Sequence, residues 1–481
     1  MYKEVYNPDY LKAAAEKYAG APCIAVDELP KSGSSRVYVR FTFQNFPSII
    51  GAYNQDVKEN EAFFSYTRFF LTRNINVPQL LWVDGGKRYY LLSDLGNETL
   101  YSFLSSHRDG QELGAETIHY YREVIKQLPL IQLSGKCGID FSVAYPRYAF
   151  DRQSMQWDLN YFKYYFLKLV NIPFDEQLLE NDFDTLINYL LQADSDFFLF
   201  RDFQSRNIMI CDDKVYFIDY QGGRKGALQY DIASLLYDGK ADIPAEVREQ
   251  LLDFYMDELS KHISVDRRDF KERYTAFVLI RIMQAMGAYG FRGYYEKKAH
   301  FLLSIPYAVN NIKYLLAHWD IPVQIPALRE VLRKITECDF ESYSKQNTDK
   351  LTVTITSFSY KKGIPQDLSA NGGGFVFDCR ALPNPGREKQ YSHNTGQEKV
   401  IINWLEKYPE VEEFKSHVNA IVDMSVENYM SRHFTHLMVN FGCTGGQHRS
   451  VYFAESLKKH LEEKYDVAIV LKHTVIDSWT K

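Results

Sequence analysis

Three side chains within residues 196–223 (DFFLFRDFQSRNIMICDDKVYFIDYQGG) have the types and spacing that phosphoryl transfer requires. Asp202 heads a polar loop behind the apolar run 197–200. Asn207 follows five residues on, and Asp219 closes the second of two short β-like runs. Those runs, 208–211 and 215–218, flank the turn Asp212-Asp213-Lys214 and predict a hairpin. In this register a carboxylate at 202 can accept the proton of an attacking hydroxyl, while an amide oxygen at 207 and a carboxylate at 219 can hold Mg2+ against the phosphates of ATP. A lone D-x4-N would mean little, because Asp and Asn crowd ordinary turns. The sequence of strand, D-x4-N, hairpin and apolar-Ile-Asp is what makes the signal specific.

The motifs FRDFQSRN and FIDYQGG resemble the catalytic and metal loops of the aminoglycoside phosphotransferase family of small-molecule kinases, whose pattern is H-x-D-x4-N followed by Ile-Asp. Phe200 stands where that pattern has its His, a residue that organises the loop. The resemblance covers roughly residues 10–337. It implies a two-lobed α+β kinase fold with Asp202 as base, Asn207 and Asp219 on the metal, and Asp231 holding the catalytic loop from below. Within the family, PKSGSSRVYVRF, LLSDLGNETL, FDRQSMQWDLNYF and RIMQAMGAYGF look most like the cell-wall sugar anomeric kinases. Those enzymes phosphorylate the anomeric hydroxyl of N-acetylmuramate and N-acetylglucosamine, so the resemblance implies a small-molecule sugar substrate in cell-wall recycling. A kinase for an aminoglycoside or choline-like alcohol, and a catalytically dead pseudokinase, stay open as alternatives.

Other elements must position these groups. Residues 7–19 predict a helix with Pro8 in its first turn, and 23–29, 36–42 and 47–53 predict strands. Between the first two strands, Gly33, Ser34 and Ser35 are small enough to let backbone N–H groups cover nucleotide phosphates. The third strand should carry a phosphate-binding Lys, but PSIIGAYNQD has none, and Arg40 and Lys58 are the nearby cations. A helix over 57–73 offers Glu59 or Glu61 to orient such a cation. Strands 80–83 and 89–93 flank a Gly85-Gly86 turn. The backbone of Ser93, Asp94 and Leu95 would meet the adenine, with Asn97 starting the next helix. Residues 115–133 are helical by apolar spacing. The aromatic segment 150–169 reads either as a core helix or as an acceptor site. In the second reading, Asp151 and Asp158 bond sugar hydroxyls beside Trp157 or Tyr161.

At 481 residues the chain is too long for one core. The expected division is a β-rich lobe at 1–95, a helical lobe at 96–337, a polar linker at 338–350 and a separate α/β domain with a mostly parallel sheet at 351–481. Six scattered cysteines without a C-x-x-C pair point to reduced thiols in the cytoplasm. The N-terminus lacks an apolar signal core and no run of eighteen apolar residues occurs, so no membrane partner is expected. Aromatics make up 15% of the chain, which suits sugar stacking and core packing alike.

In the last segment, the loop GCTGGQHRS sits between an apolar strand and a helix N-terminus, a good cradle for an anion. The spacing Cys443-x5-Arg449-Ser450 also fits a phosphatase loop with a thiolate nucleophile. SFSYKKGIP, FVFDCRALPNP and FGCTGGQHRSVYFAESL resemble the C-terminal domain of the RNase adapter RapZ over 352–474. That resemblance implies a pocket for a phosphorylated amino sugar, glucosamine 6-phosphate, as effector, formed here by Asp378, Arg380, Thr444, Gly445, His448 and Arg449. Gly386 replaces the His that follows Asn-Pro in the pattern. The basic tail linked to RNA binding is missing: the chain ends HTVIDSWTK. Fifteen basic side chains balance fifteen acidic ones over 351–481, whereas RNA binding through phosphates wants a positive surplus. The net charge of −6 likewise argues against a general nucleic-acid binder. Sensor, phosphatase and RNase adapter-like roles for this domain stay open.

Overall fold

Pro8 presets φ for the first helical residue, and the Asn7 side chain accepts the Tyr10 N–H at 3.1 Å, which starts α1 (Pro8–Ala19). Gly20, at φ 69°, ends it in the left-handed conformation that suits glycine. A computed structural model describes residues 6–30, 36–110, 112–296, 298–338, 340, 350–365, 367, 374–432 and 434–476. The chain divides into two units, Met1–Gly290 with Tyr307–Cys338, and Phe291–Pro306 with Asp339–Lys481. Residues 291–306 therefore group with the second unit, although the sequence alone assigns them to the helical lobe.

The first unit opens with an antiparallel five-stranded sheet in the order β1-β2-β3-β5-β4. Its strands are β1 (Cys23–Glu28), β2 (Val37–Phe43), β3 (Ile49–Tyr53), β4 (Leu80–Val83) and β5 (Tyr89–Ser93), with α2 (Val57–Thr72) between β3 and β4. The period of two along β2 divides its side chains. Val39, Phe41 and Phe43 join Leu11 and Ala15 of α1 in a buried cluster, whereas Tyr38 and Arg40 line a cavity on the other face.

The helical part follows with α3 (Leu100–Ser106), the two-residue strands β6 (Arg108–Asp109) and β7 (Glu112–Leu113), and α4 (Ala115–Leu133). Then come α5 (Arg152–Phe162), which runs into a π-helical turn at Lys163–Leu167, and α6 (Glu176–Leu190). The chemistry-bearing stretch forms β8 (Phe197–Leu199), β9 (Ile208–Cys211), β10 (Lys214–Phe217) and β11 (Arg224–Gly226). Asp212 and Asp213, at φ 50° and 56°, both sit in the left-handed region that a tight β9–β10 hairpin turn demands. Helices α7 (Leu228–Leu236), α8 (Ala245–Ser260), α9 (Arg267–Gly290), α10 (Ile305–Ala317) and α11 (Pro326–Glu337) complete this part of the chain.

In the second unit, β12 (Thr352–Ser359), β13 (Phe375–Asp378), β14 (His436–Cys443) and β15 (Ala468–His473) form an all-parallel sheet in the order β13-β14-β12-β15. The connections run through α12 (Lys399–Leu405), α13 (Pro409–Ser431) and α14 (Arg449–Lys464). Val353, Ile355, Val439, Phe441, Phe453 and Leu457 make the core between sheet and helices. The parallel α/β domain expected from strand–helix alternation is therefore present. All six cysteines are free thiols, and among the described residues no helix is long and apolar enough to cross a membrane.

Candidate active site

The catalytic loop hangs from Asp231. One carboxylate oxygen of this buried residue in α7 accepts the Phe200 N–H at 2.8 Å and the other accepts the Arg201 N–H at 3.1 Å. Burial pushes the Asp231 carboxyl up to about 7, against the pull of those two backbone bonds. Phe200 is enclosed and packs against Phe203 and Tyr220, with ring centroids 5.1 and 6.1 Å away. Aromatic packing thus organises the loop where the family pattern has an imidazole. Arg201, held at φ 82°, forks onto Asp158 at 2.6 and 2.8 Å and lies over the Phe150 ring. A non-glycine residue in that region costs about 1–3 kcal/mol, and the buried ion pair helps hold it there.

Asp202 follows directly, half-buried. The Asn207 amide donates to the Asp202 carbonyl at 2.9 Å and reaches Asp219 Oδ2 at 3.5 Å. Asp219 is itself left-handed at φ 69° and accepts the Gln221 amide at 2.6 Å. Burial raises the Asp219 carboxyl, as does the charge of Asp202; Gln221 and the Arg36 charge oppose them. The expected trio is therefore brought together. No group of three or more His, Cys, Asp or Glu forms a metal cage among the described residues. Asp219 with Asn207 is instead the partial oxygen set that suits Mg2+, which takes one or two carboxylates and completes its shell with phosphates and water. A buried carboxylate pushed upward by a second carboxylate is also a site that gains from a cation.

The cation missing from the third strand comes from Arg36, directly before β2. Its Nη2 lies 3.1 Å from Glu59 Oε2 in the first turn of α2, and its Nη1 donates to the Tyr38 hydroxyl at 3.1 Å. The side chain is 2% exposed. A cation at the start of one strand is thus paired with a glutamate in the first turn of the helix that follows the next strand. Sequence reasoning named Arg40 and Lys58 and overlooked Arg36. Arg40 is committed elsewhere: it forks onto Asp94 at 2.6 and 2.9 Å and donates to Asn97 at 2.6 Å and to the Gly96 carbonyl at 2.9 Å. Its guanidinium is spent on the 94–97 turn. Lys58 is exposed, and Glu61 pairs with Lys87. Asn97 does not start α3, which Thr99 caps. Gly33, Ser34 and Ser35 lie outside the described residues.

A cavity of about 180 Å3 runs from the 93–95 segment to Asp219. Ser93, Asp94 and Leu95 line it at one end and Asp219 at the other, with Tyr38, Ile50, Leu92 and Ile218 between. Ser93 spends its own N–H on the Gln79 carbonyl. The two acids assigned to the acceptor have other work. Asp151 caps α5 by accepting the Ser154 N–H at 3.0 Å and pairs with Arg147, and Asp158 is neutralised by Arg201. Both carboxylates thus carry a local role, a helix cap and ion pair at 151 and a buried ion pair at 158, which the sequence reading does not assign them.

In the second unit the loop after β14 curls tightly. A Cβ on Gly446, at φ 71°, would come within 2.5 Å of Val475 and 3.0 Å of the Ser359 nitrogen. Thr444 and Gly445 are exposed at its tip. Asp378 and Arg380 pair with each other, and Arg380 stacks over Tyr360 at 3.8 Å. His448 is within hydrogen-bond distance of the Tyr391 carbonyl, at 3.0 Å, and burial lowers its pKa. Arg449 is buried: Nη1 donates to the Arg380 and Leu382 carbonyls, both at 2.9 Å, while its Nε–H is enclosed without an acceptor. Arg449 thus ties down the neighbouring loop and is not an open fork. Cys443, 3% exposed, accepts the Gly446 N–H at 3.2 Å and contacts Ser450 Oγ at 3.2 Å.

Residues 52–262 match the family model described as the phosphotransferase enzyme family, and residues 351–477 match that of the RapZ C-terminal domain. Curated relatives include a nucleotide-binding protein of Hahella chejuensis, 35% identical over 119 residues, and one of Thermotoga sp. (strain RQ2), 39% identical over 126. These matches cover 25% and 26% of this chain and 40% and 43% of the relatives, so the chain spans less than half their length. Among solved structures, the gentamicin complex of APH(2")-IIa is 13% identical at a TM-score of 0.44, covering 63% of this chain and 97% of that one. Choline kinase from Cryptosporidium parvum is 14% identical at 0.43, covering 66% and 94%. Such values say nothing of activity or substrate. One stretch of the chain thus matches the model of the phosphotransferase enzyme family and a second, separate stretch matches that of the RapZ C-terminal domain.

Proposed function

We propose that the first unit is an ATP- and Mg2+-dependent kinase for a sugar hydroxyl, the anomeric hydroxyl of an amino sugar in cell-wall recycling, and that the second senses a phosphorylated amino sugar, both in the cytoplasm. One observation carries the kinase reading: Asp202, Asn207 and Asp219 converge, with the Arg36–Glu59 pair behind them and a hinge-bounded cavity in front. Asp202 would accept the proton of the sugar hydroxyl as its oxygen attacks the terminal phosphorus of ATP. Asn207 and Asp219 would hold Mg2+, which neutralises charge on the phosphates when bound. Arg36 would face those phosphates, kept in place by Glu59. The Phe200–Phe203–Tyr220 packing and the Asp231 bonds leave the loop fully braced, which favours an active kinase over a dead one. In the second unit, the burial of the Cys443 sulfur, 3% exposed, keeps it from an incoming phosphate and favours a ligand-binding loop over a thiolate enzyme.

The test is ADP release, followed by a coupled assay, from ATP, Mg2+ and a panel of neutral, acidic and amino sugars, aminoglycosides and choline. Turnover confined to sugars is expected. Turnover with choline or aminoglycosides alone, or with nothing, overturns the reading.

A further inference from the structure

A second cavity lies beside the one bounded by residues 93–95 and Asp219, and the two share a wall. It encloses about 620 Å3, within the range of about 300–1,000 Å3 that small-molecule sites occupy. Ser93, Asp94 and Leu95 line both cavities, whereas Ser48 lines the larger one and Arg40 the smaller. Both of those side chains end on the same carboxylate oxygen. Asp94 Oδ2 accepts the Ser48 hydroxyl at 2.7 Å and the Arg40 Nε–H at 2.6 Å. One carboxylate thus joins a hydroxyl of the one cavity to a guanidinium of the other.

No lysine or arginine lines the larger cavity, so a phosphate or carboxylate would find no counter-charge there. Of its two acids, Asp94 is neutralised by Arg40, and Asp212 is exposed in the β9–β10 turn, where water screens it. The other polar and aromatic groups are neutral: the rings of Tyr18, Phe46 and Tyr216 and the amides of Asn74, Asn76 and Gln79. Tyr18 and Phe46 meet edge to face with 6.3 Å between centroids, and Tyr18 is 43% exposed. The Asn76 amide donates to the Val215 carbonyl at 3.1 Å, which leaves its oxygen to accept. Flat rings that cover C–H faces, with amides that both donate and accept, suit an uncharged sugar with its hydroxyls intact.

We propose that this second cavity takes a neutral carbohydrate as an effector, and that its occupation tightens nucleotide binding through Ser48 and Asp94. A sugar hydroxyl can donate to Ser48 Oγ while Ser48 keeps its own proton on Asp94. A hydroxyl that accepts one bond donates the next more strongly. Asp94, and Arg40 with it, is then held more firmly in the lining of the smaller cavity. The carbohydrate site stands without the kinase reading above; the effect on ATP rests on it.

The test is calorimetry on the full chain without nucleotide, with maltose, cellobiose and N,N′-diacetylchitobiose as probes. At least one should bind, and Tyr18→Ala and Gln79→Ala should each weaken it about 2- to 10-fold, the worth of one ring contact or one neutral hydrogen bond. Both replaced side chains are exposed, so the fold survives their loss. ATP is then titrated with and without the saturating disaccharide. Its Kd should fall about fivefold with the sugar present, the lower end of ordinary coupling between two sites, and Ser48→Ala should bring that factor close to one. Should Ser48→Ala fail to fold by thermal melting, Tyr18→Ala reads the coupling instead. The disaccharide concentration that half-shifts ATP binding must then rise by the same factor as the disaccharide Kd. No binding by any of the three, binding that both variants leave unchanged, or tighter binding of glucose 6-phosphate or spermidine at the same residues overturns the carbohydrate site. A disaccharide that binds there with ATP affinity unchanged or weakened overturns the coupling. Absence of ATP binding under every condition overturns the kinase reading and leaves the carbohydrate site standing.

Discussion

Replacing Arg36 with Met removes the cation that pairs with Glu59 and whose charge acts on Asp219, while keeping an unbranched side chain in the space. Breaking an enclosed ion pair costs about 3–5 kcal/mol. Glu59 is 31% exposed and keeps the Asn54 amide at 2.7 Å, so the loss here belongs lower, about 2–3 kcal/mol. Asp219, in turn, loses a charge that opposes the upward push of burial, and so holds its proton to higher pH. Nucleotide binding should suffer more than folding. One charge-assisted bond to a phosphate is worth about 1.5–3 kcal/mol, or roughly a 10- to 100-fold fall in kcat/KM for ATP. Arg36→Lys should restore part of this, since an ammonium can still pair with Glu59. The assay is steady-state kinetics at varied ATP, run beside thermal melting of the same preparations. A folded Arg36→Met protein with wild-type kcat/KM for ATP refutes the assignment.

Asp202→Asn should lower kcat about 10²–10⁴-fold with nucleotide affinity nearly intact by calorimetry, and wild-type turnover would remove Asp202 from the role of base. Asp231 titrates near 7 in the folded chain against 3.8 as its reference, so the native state binds the extra proton between those values. Its contribution to stability therefore falls as pH rises from about 4 to about 7. Melting across that range should show Asp231→Asn gaining on the wild type toward higher pH, and a constant gap would contradict the burial argument. In the second unit, Cys443→Ser should keep binding of glucosamine 6-phosphate in the full chain, and the wild type should not hydrolyse aryl phosphates. Thiol-dependent phosphate release would make the loop an enzyme.

The chemistry was legible where it lies close along the chain. Asp202, Asn207 and Asp219 fall within one hairpin motif, and β4, β5 and α4 lie where residue patterning puts them. Arg36 falls outside a pattern that places a lysine on the third strand. The period of two puts Arg36, Tyr38 and Arg40 on one face, so either of two adjacent strands can deliver a cation there. Arg40 and Asp94 lie 54 residues apart, and no local signal joins them. Asp151 did carry a warning, since Arg147 four residues before it and Ser154 three after are the marks of an ion pair and a helix cap. Asp158 had none, because its partner Arg201 comes from a distant loop.

The most direct measurement is phosphorus–proton NMR of the product formed from ATP, Mg2+ and the best sugar, by the wild type and by Asp202→Asn. A phosphorus coupled to the anomeric proton is expected in the first reaction and almost none of that product in the second. Inorganic phosphate alone, a phosphate on another oxygen of the sugar, or the same yield from both proteins would contradict it.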